Sequence, residues 1–197
     1  MKKGFTLVEL LIVIGLLSVI ALIVIAAINP LEQANRARDT RFKADGSQLL
    51  SSIERYFASH SSFPWVDPIG SVADNDSAFG FITASDVNVG LCGNAACTTD
   101  GELIKSLELK TEFKNRDFVV KGNASDNTVK LFIGKAEGAS SSVYSCFVPM
   151  SKSNRDSACS AGKVYTLSAS DGTRSSVSAS TCSGAAWNTS WVICVPE

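Results

Sequence analysis

The chain has 197 residues, 19 % of them charged, with a formal net charge of −1 and a mean hydropathy of +0.16. Near-neutrality removes the global basic field expected of a nucleic-acid coat, and the length allows one domain beyond a single long helix. His60 is the only histidine and no Walker A or dinucleotide fingerprint occurs, so neither catalysis nor a cofactor is expected.

The first element is an apolar run from Phe5 to Ile28, 24 residues in which Glu9 is the only ionisable side chain. About 20 apolar residues span a bilayer core, whereas a signal-peptide core has about 7–15. An acidic residue near the bilayer centre costs about 2.5–3.5 kcal/mol on insertion scales, less for Glu9 near one edge, so this carboxylate needs a partner. Lys2 and Lys3 flank one side of the run and Arg36, Arg38, Arg41 and Lys43 the other, so charge counting does not orient it.

Gly4-Phe5-Thr6-Leu7-Val8-Glu9, ahead of an unbroken apolar helix, resembles the class III leader of type IV pilins and type II secretion pseudopilins. The resemblance implies that a prepilin peptidase removes residues 1–4, cutting between Gly4 and Phe5, and methylates the new Phe5 amine. Residues 5–28 would anchor the chain in the cytoplasmic membrane as a single pass, C-terminus outside, and later form the core of a surface filament. Glu9 would neutralise the Phe5 ammonium of a neighbouring identical subunit. The partners implied are sister subunits, the peptidase, an assembly platform and a separate motor ATPase; nucleic acid would be met only through the filament. The expected function is a structural subunit of a type IV pilus serving adhesion, motility or DNA uptake. The alternatives are a pseudopilin of a secretion or competence system and a non-polymerising membrane-anchored binding module. Glu9 counts against the last, which has no sister amine to meet.

Next comes an amphipathic stretch, residues 29–60, read as a continuation of the same helix. Phe42, Leu49, Leu50, Ile53, Tyr56 and Phe57 recur at helical spacing, and no proline intervenes between Leu31 and Phe63. The whole helix would be roughly 80 Å long. Asp39 and Lys43 are spaced for an i,i+4 pair, and Gly46 weakens the helix by about 1 kcal/mol relative to alanine. Pro30 is the expected helix break: either a kink, or the end of the membrane helix with a second helix beginning there. The best-known pilins carry a proline four residues earlier, where this chain has Ala26. Ile-Asn-Pro followed by Ala-Arg-Asp-x-Arg looks like the branch in Gram-positive and other non-proteobacterial pilin-like proteins. Arg36, Arg38, Arg41 and Lys43, interleaved with Glu32, Asp39 and Asp45, read as a solvated helix face rather than a DNA contact.

The remaining 61–197 read as an extracellular globular domain. Residues 61–116 look loop-like, rich in proline and glycine, with a short helical or turn-rich piece at 102–114. Asp74 and Asp76 loosely resemble calcium ligands, but Ala78 and Gly80 hold the next alternate positions and no metal is expected. Residues 117–197 read as antiparallel sheet: a hairpin of 117–121 with 128–133, then strands at 142–148, 163–167 and 190–195, with a loop over 168–180. The fold class is α+β, a long N-terminal helix packed on a C-terminal antiparallel sheet, which is also the pilin fold that the leader implies. Cys92, Cys97, Cys146, Cys159, Cys182 and Cys194 all lie in the distal half, an even set that reads as disulfides in an exported domain. The preferred pairing is sequential: Cys92–Cys97, Cys146–Cys159, Cys182–Cys194. Sequons at Asn75, Asn123 and Asn188 leave glycosylation open.

Overall fold

A computed structural model describes residues 4–27, 29–122, 124–182, 187 and 189–196. Residues 1–3 of the leader, Ile28, and the sequon residues Asn123 and Asn188 lie outside the described residues.

Two helices, not one, make up the N-terminal part. Helix α1 spans Leu7–Ala27 and α2 spans Pro30–His60. Local chemistry explains the division. Asn29 is the N-cap of α2, its Oδ1 accepting the Glu32 N–H at 3.2 Å, and Pro30 occupies the first helical position, where no N–H is needed. Of the two readings of Pro30, the chain adopts the start of a second helix. Helix α2 closes at Ser61 in a left-handed conformation, φ 55°, whose carbonyl receives Asn75 Nδ2 at 3.0 Å.

The apolar stripe of α2 (Phe42, Leu49, Leu50, Ile53, Tyr56) is buried against a four-stranded antiparallel sheet. Its strands β1 (Phe79–Thr83), β2 (Leu131–Lys135), β3 (Val143–Phe147) and β6 (Ile193–Val195) lie side by side in that order. Strand alternation sends Leu131, Ile133, Val143, Ser145 and Phe147 toward α2, while Cys146 joins Phe81, Val148, Val192 and Cys194 in a second cluster beyond the sheet. A hairpin of β4 (Tyr165–Leu167) and β5 (Arg174–Ser176) covers that second cluster. Short helices α3 (Glu102–Lys105), α4 (Asp117–Val120) and α6 (Ala179–Cys182) and the longer α5 (Lys152–Ser160) fill the connections. The architecture is α+β.

Several expectations for the domain are corrected. The region 61–116 is not all loop: β1 lies within it as an edge strand, paired with β2 through Ile82↔Ile133 and Thr83↔Phe132. Surrounding turn residues and Gly80 obscured it, and Gly80 is needed there because the backbone of Ala169 approaches where a Cβ would stand. The 117–121 segment is a helical turn rather than a strand, so the expected hairpin does not form. Adjacent Phe118 and Val119 are both buried in this turn, while Val120 is exposed. Phe118 packs edge-on against Phe42 and Phe113, and that contact overrides the β propensity of Phe-Val-Val.

Only one of the three expected disulfides forms as expected, Cys92–Cys97. The others are nested: Cys146–Cys194 encloses Cys159–Cys182. The register of β3 against β6 sets Cys146 directly opposite Cys194, and Cys159 on α5 meets Cys182 on α6. Proximity along the chain loses to sheet register.

Candidate functional site

Among its described side chains, α1 is exposed along its whole length, and the span Leu7–Ile25 has a mean hydropathy of 3.1 with no part of it buried. Burying one leucine- or isoleucine-sized side chain is worth about 1.5–3 kcal/mol, so an isolated helix apolar on every side requires lipid or other helices around it. The polar Ser18 within the span returns its Oγ to the Ile14 carbonyl at 2.7 Å.

The start of this helix carries the feature of most interest. Thr6 and Glu9 form a capping box: Glu9 Oε2 accepts the Thr6 backbone N–H at 2.9 Å and the Thr6 hydroxyl at 2.8 Å, and Glu9 N–H donates to Thr6 Oγ1 at 3.2 Å. The carboxylate is thereby turned back toward residue 5. Gly4 has open space around it, and Phe5 is 82 % exposed. The peptide between them is sterically accessible, next to a carboxylate of fixed orientation. Thr6 did not figure among the expected site residues, although its spacing of three from Glu9 was readable as a cap.

A pair of carboxylates, Glu32 and Asp39, ties α2 to the domain. Glu32 accepts from Ser151 Oγ at 2.6 Å, Lys152 N at 3.0 Å and Ser153 N at 3.1 Å. Asp39, two turns on and buried, accepts from Met150 N at 2.9 Å, Ser151 N at 2.9 Å and Asn154 Nδ2 at 2.9 Å. These donors belong to the N-terminus of α5 and the turn before it, where the helix dipole favours negative charge. Hydrogen bonds from Ser151, Ser153 and Lys152 lower the Glu32 carboxyl to about 2. Asp39 therefore turns into the protein instead of serving mainly as a surface partner for Lys43. Nothing in the local spacing marked Glu32, because its partners lie far along the chain.

The basic residues of α2 divide accordingly. Arg36 Nε approaches Glu32 at 3.3 Å, and Arg38 bonds Asp39 at 3.0 Å while lying 4.2 Å over the Phe42 ring. Arg38 is held at the α2–domain seam, where it also donates to the Val148 carbonyl at 3.2 Å, while Arg36 stays half-exposed beside Glu32. His60 stacks on Tyr56 with ring centroids 4.0 Å apart. Asp74 Oδ1 is taken up by Asp76 N, Ser77 N and Ser77 Oγ, and among the described residues no three metal-ligating side chains gather. Asn75 uses its amide on Ser61 and Phe63, which ties the expected sequon into the α2 terminus.

No curated protein and no solved structure matches the chain. Residues 1–25 match the family model described as the prokaryotic N-terminal methylation motif. With an exposed Gly4–Phe5 junction, a capped Glu9 and an apolar helix behind them, the chain carries the class III prepilin leader of the type IV pilins and pseudopilins.

Proposed function

We propose that the protein is a structural subunit of a type IV pilus. A prepilin peptidase cuts it between Gly4 and Phe5 and methylates the Phe5 amine. The subunit then waits in the membrane through α1, with its domain outside, and polymerises through the same helix. The observation that carries this reading is α1 itself: apolar apart from Glu9 and Ser18, unburied along Leu7–Ile25 among the described residues, and bearing its one carboxylate at its first turn. In a plain anchor the carboxylate would serve only as a cap on the helix start, at a cost in lipid, whereas in a helix bundle in which each subunit brings an N-terminal ammonium it also has an ionic partner. Thr6 holds Glu9 ready: its two bonds both fall on Oε2, so a neighbour's ammonium would approach from the Oε1 side.

A stapled domain rich in long connections suits an exposed filament surface, which favours a pilus over a pseudopilin. Imaging of expressing cells tests this choice. Long surface filaments that label with antibody to this domain are expected; short periplasm-confined assemblies or none would move the assignment to the pseudopilin. The reading is structural, with the power for assembly supplied by a separate motor ATPase.

A further inference from the structure

The β4–β5 hairpin lies on the face of the main sheet opposite α2, so the domain is layered as helix, sheet and hairpin. Strand β4 is tied back by Val192, which exchanges two backbone bonds with Tyr165 at 2.9 Å. Strand β5 has no strand beyond it among the described residues.

The register identifies the free backbone groups of β5. Ser168 N–H donates to the Thr173 carbonyl at 3.0 Å and Val177 N–H to the Val164 carbonyl at 2.8 Å. These are hydrogen-bonded pairs of the hairpin, and by alternation Thr166 with Ser175 is another. Tyr165↔Ser176 and Leu167↔Arg174 are then the pairs whose N–H and C=O groups point out of the ladder. Tyr165 directs its groups to Val192, whereas those of Arg174 and Ser176 meet no partner among the described residues. An open edge is usually guarded by lysine, proline or a bulge. Strand β5 has none of these, and its one charge is folded inward: the Arg174 guanidinium lies 3.3 Å from the Tyr144 ring centroid and 4.6 Å from that of Tyr165. Exposed Ser175 and Ser176 are left at the rim.

We propose that this edge is an interface between copies of the chain, in which β5 of a subunit in one filament pairs antiparallel with β5 of a subunit in another. A two-fold axis through Ser175 sets Arg174 opposite the partner's Ser176, and Ser176 opposite the partner's Arg174. Both pairs can exchange their outward N–H and C=O groups, Ser175 meets the partner's Ser175, and no two arginines stand face to face. The second copy comes from another filament because the hairpin is the layer farthest from α2, which follows directly on α1, the helix of the filament core. One three-residue edge binds weakly, but repetition along a filament adds many such contacts into lateral bundling. The inference rests on the filament reading above.

The test is electron microscopy of filaments sheared from cells that express the full chain. Wild-type filaments are expected to lie in bundles. Ser175→Lys and Ser175→Glu each place like charges directly opposite across the two-fold axis. Each should lower the bundled fraction of filament length at least fivefold, with filament yield and domain melting unchanged. Mixing separately prepared Ser175→Lys and Ser175→Glu filaments should restore bundles, since lysine then faces glutamate. The same substitutions at exposed Ser160 on α5 should leave bundling as in the wild type. Unbundled wild-type filaments, wild-type bundling by either Ser175 variant, or equal losses at Ser160 overturn the proposal and leave the filament reading standing. Loss in both Ser175 variants without recovery on mixing also overturns it, in favour of a foreign strand on the same edge. Absence of any wild-type filament overturns both readings.

Discussion

Glu32 and Asp39 stand two helical turns apart on α2 and close on the same stretch of chain, residues 150–154, from successive positions. Ser151 serves both: its N–H goes to Asp39 at 2.9 Å and its hydroxyl to Glu32 at 2.6 Å. This double grip fixes the first turns of α2 to the start of α5. From α5 the Cys159–Cys182 bond continues the connection.

The grip is pH-dependent, with a definite sign. The Glu32 carboxyl lies lower in the folded chain, at about 2, than its ordinary value of 4.5. Its stabilising contribution is present above about pH 4.5 and is lost as pH falls toward 2. The melting temperature of the domain should fall over that window, and Glu32→Gln should lower it at neutral pH and flatten the fall. Identical pH profiles for the two proteins would refute the assignment.

Asp39 is the stronger anchor because it is buried. Asp39→Asn turns an amide donor toward N–H donors and should cost about 1–3 kcal/mol in urea unfolding, the range for leaving buried polar groups unmatched. A loss below about 0.5 kcal/mol would mean that the Met150–Asn154 turn is held by other contacts.

Gly46 sits on the buried stripe of α2 against Ser145 of β3. A Cβ there would stand 2.6 Å from Ser145 Oγ and 3.2 Å from Ser145 Cβ. Gly46→Ala should therefore destabilise by about 1–3 kcal/mol despite alanine's better helix propensity. Ser145 Oγ is buried and without a hydrogen-bond partner, so Ser145→Ala should be neutral or stabilising. The double variant should recover part of the Gly46→Ala loss; strictly additive values in a double-mutant cycle would remove the contact from the account.

The nested disulfides should be unequal. In the chain-entropy account the Cys146–Cys194 loop contributes about 4 kcal/mol and the enclosed Cys159–Cys182 loop somewhat less, with the two not additive because one lies inside the other. Replacing Cys146 and Cys194 by alanine should lower stability more than replacing Cys159 and Cys182. Peptide mapping of the oxidised protein should recover the nested pairs, and recovery of Cys146 joined to Cys159 would contradict the sheet register.

At the filament end, the mature protein should begin at methylated Phe5, measurable as an intact mass lacking residues 1–4 and gaining one methyl group. Glu9→Ala should still be inserted and processed but assemble poorly. Thr6→Val should show a milder assembly defect that Thr6→Ser restores, because serine keeps the hydroxyl that orients Glu9. Normal filaments from Glu9→Ala would end the charge-pairing account.

The sequence by itself determined the N-terminal device, because its signals are local. A run of apolar residues, one carboxylate and a glycine before Phe5 are readable wherever the rest of the chain goes. The stripe Phe42-Leu49-Ile53-Tyr56 was legible for the same reason, since helical periodicity lies within a few turns. Tertiary structure decided what depends on distant partners. Cys146 faces Cys194 only because β6 adds to β3 in that register. Phe118 and Val119 enter a helical turn only because Phe42 and Phe113 wait there, and Glu32 becomes an anchor only when Ser151 is brought to it. Such contacts are separated by tens of residues, and no spacing along the chain encodes which of the possible partners will be near once the sheet has formed.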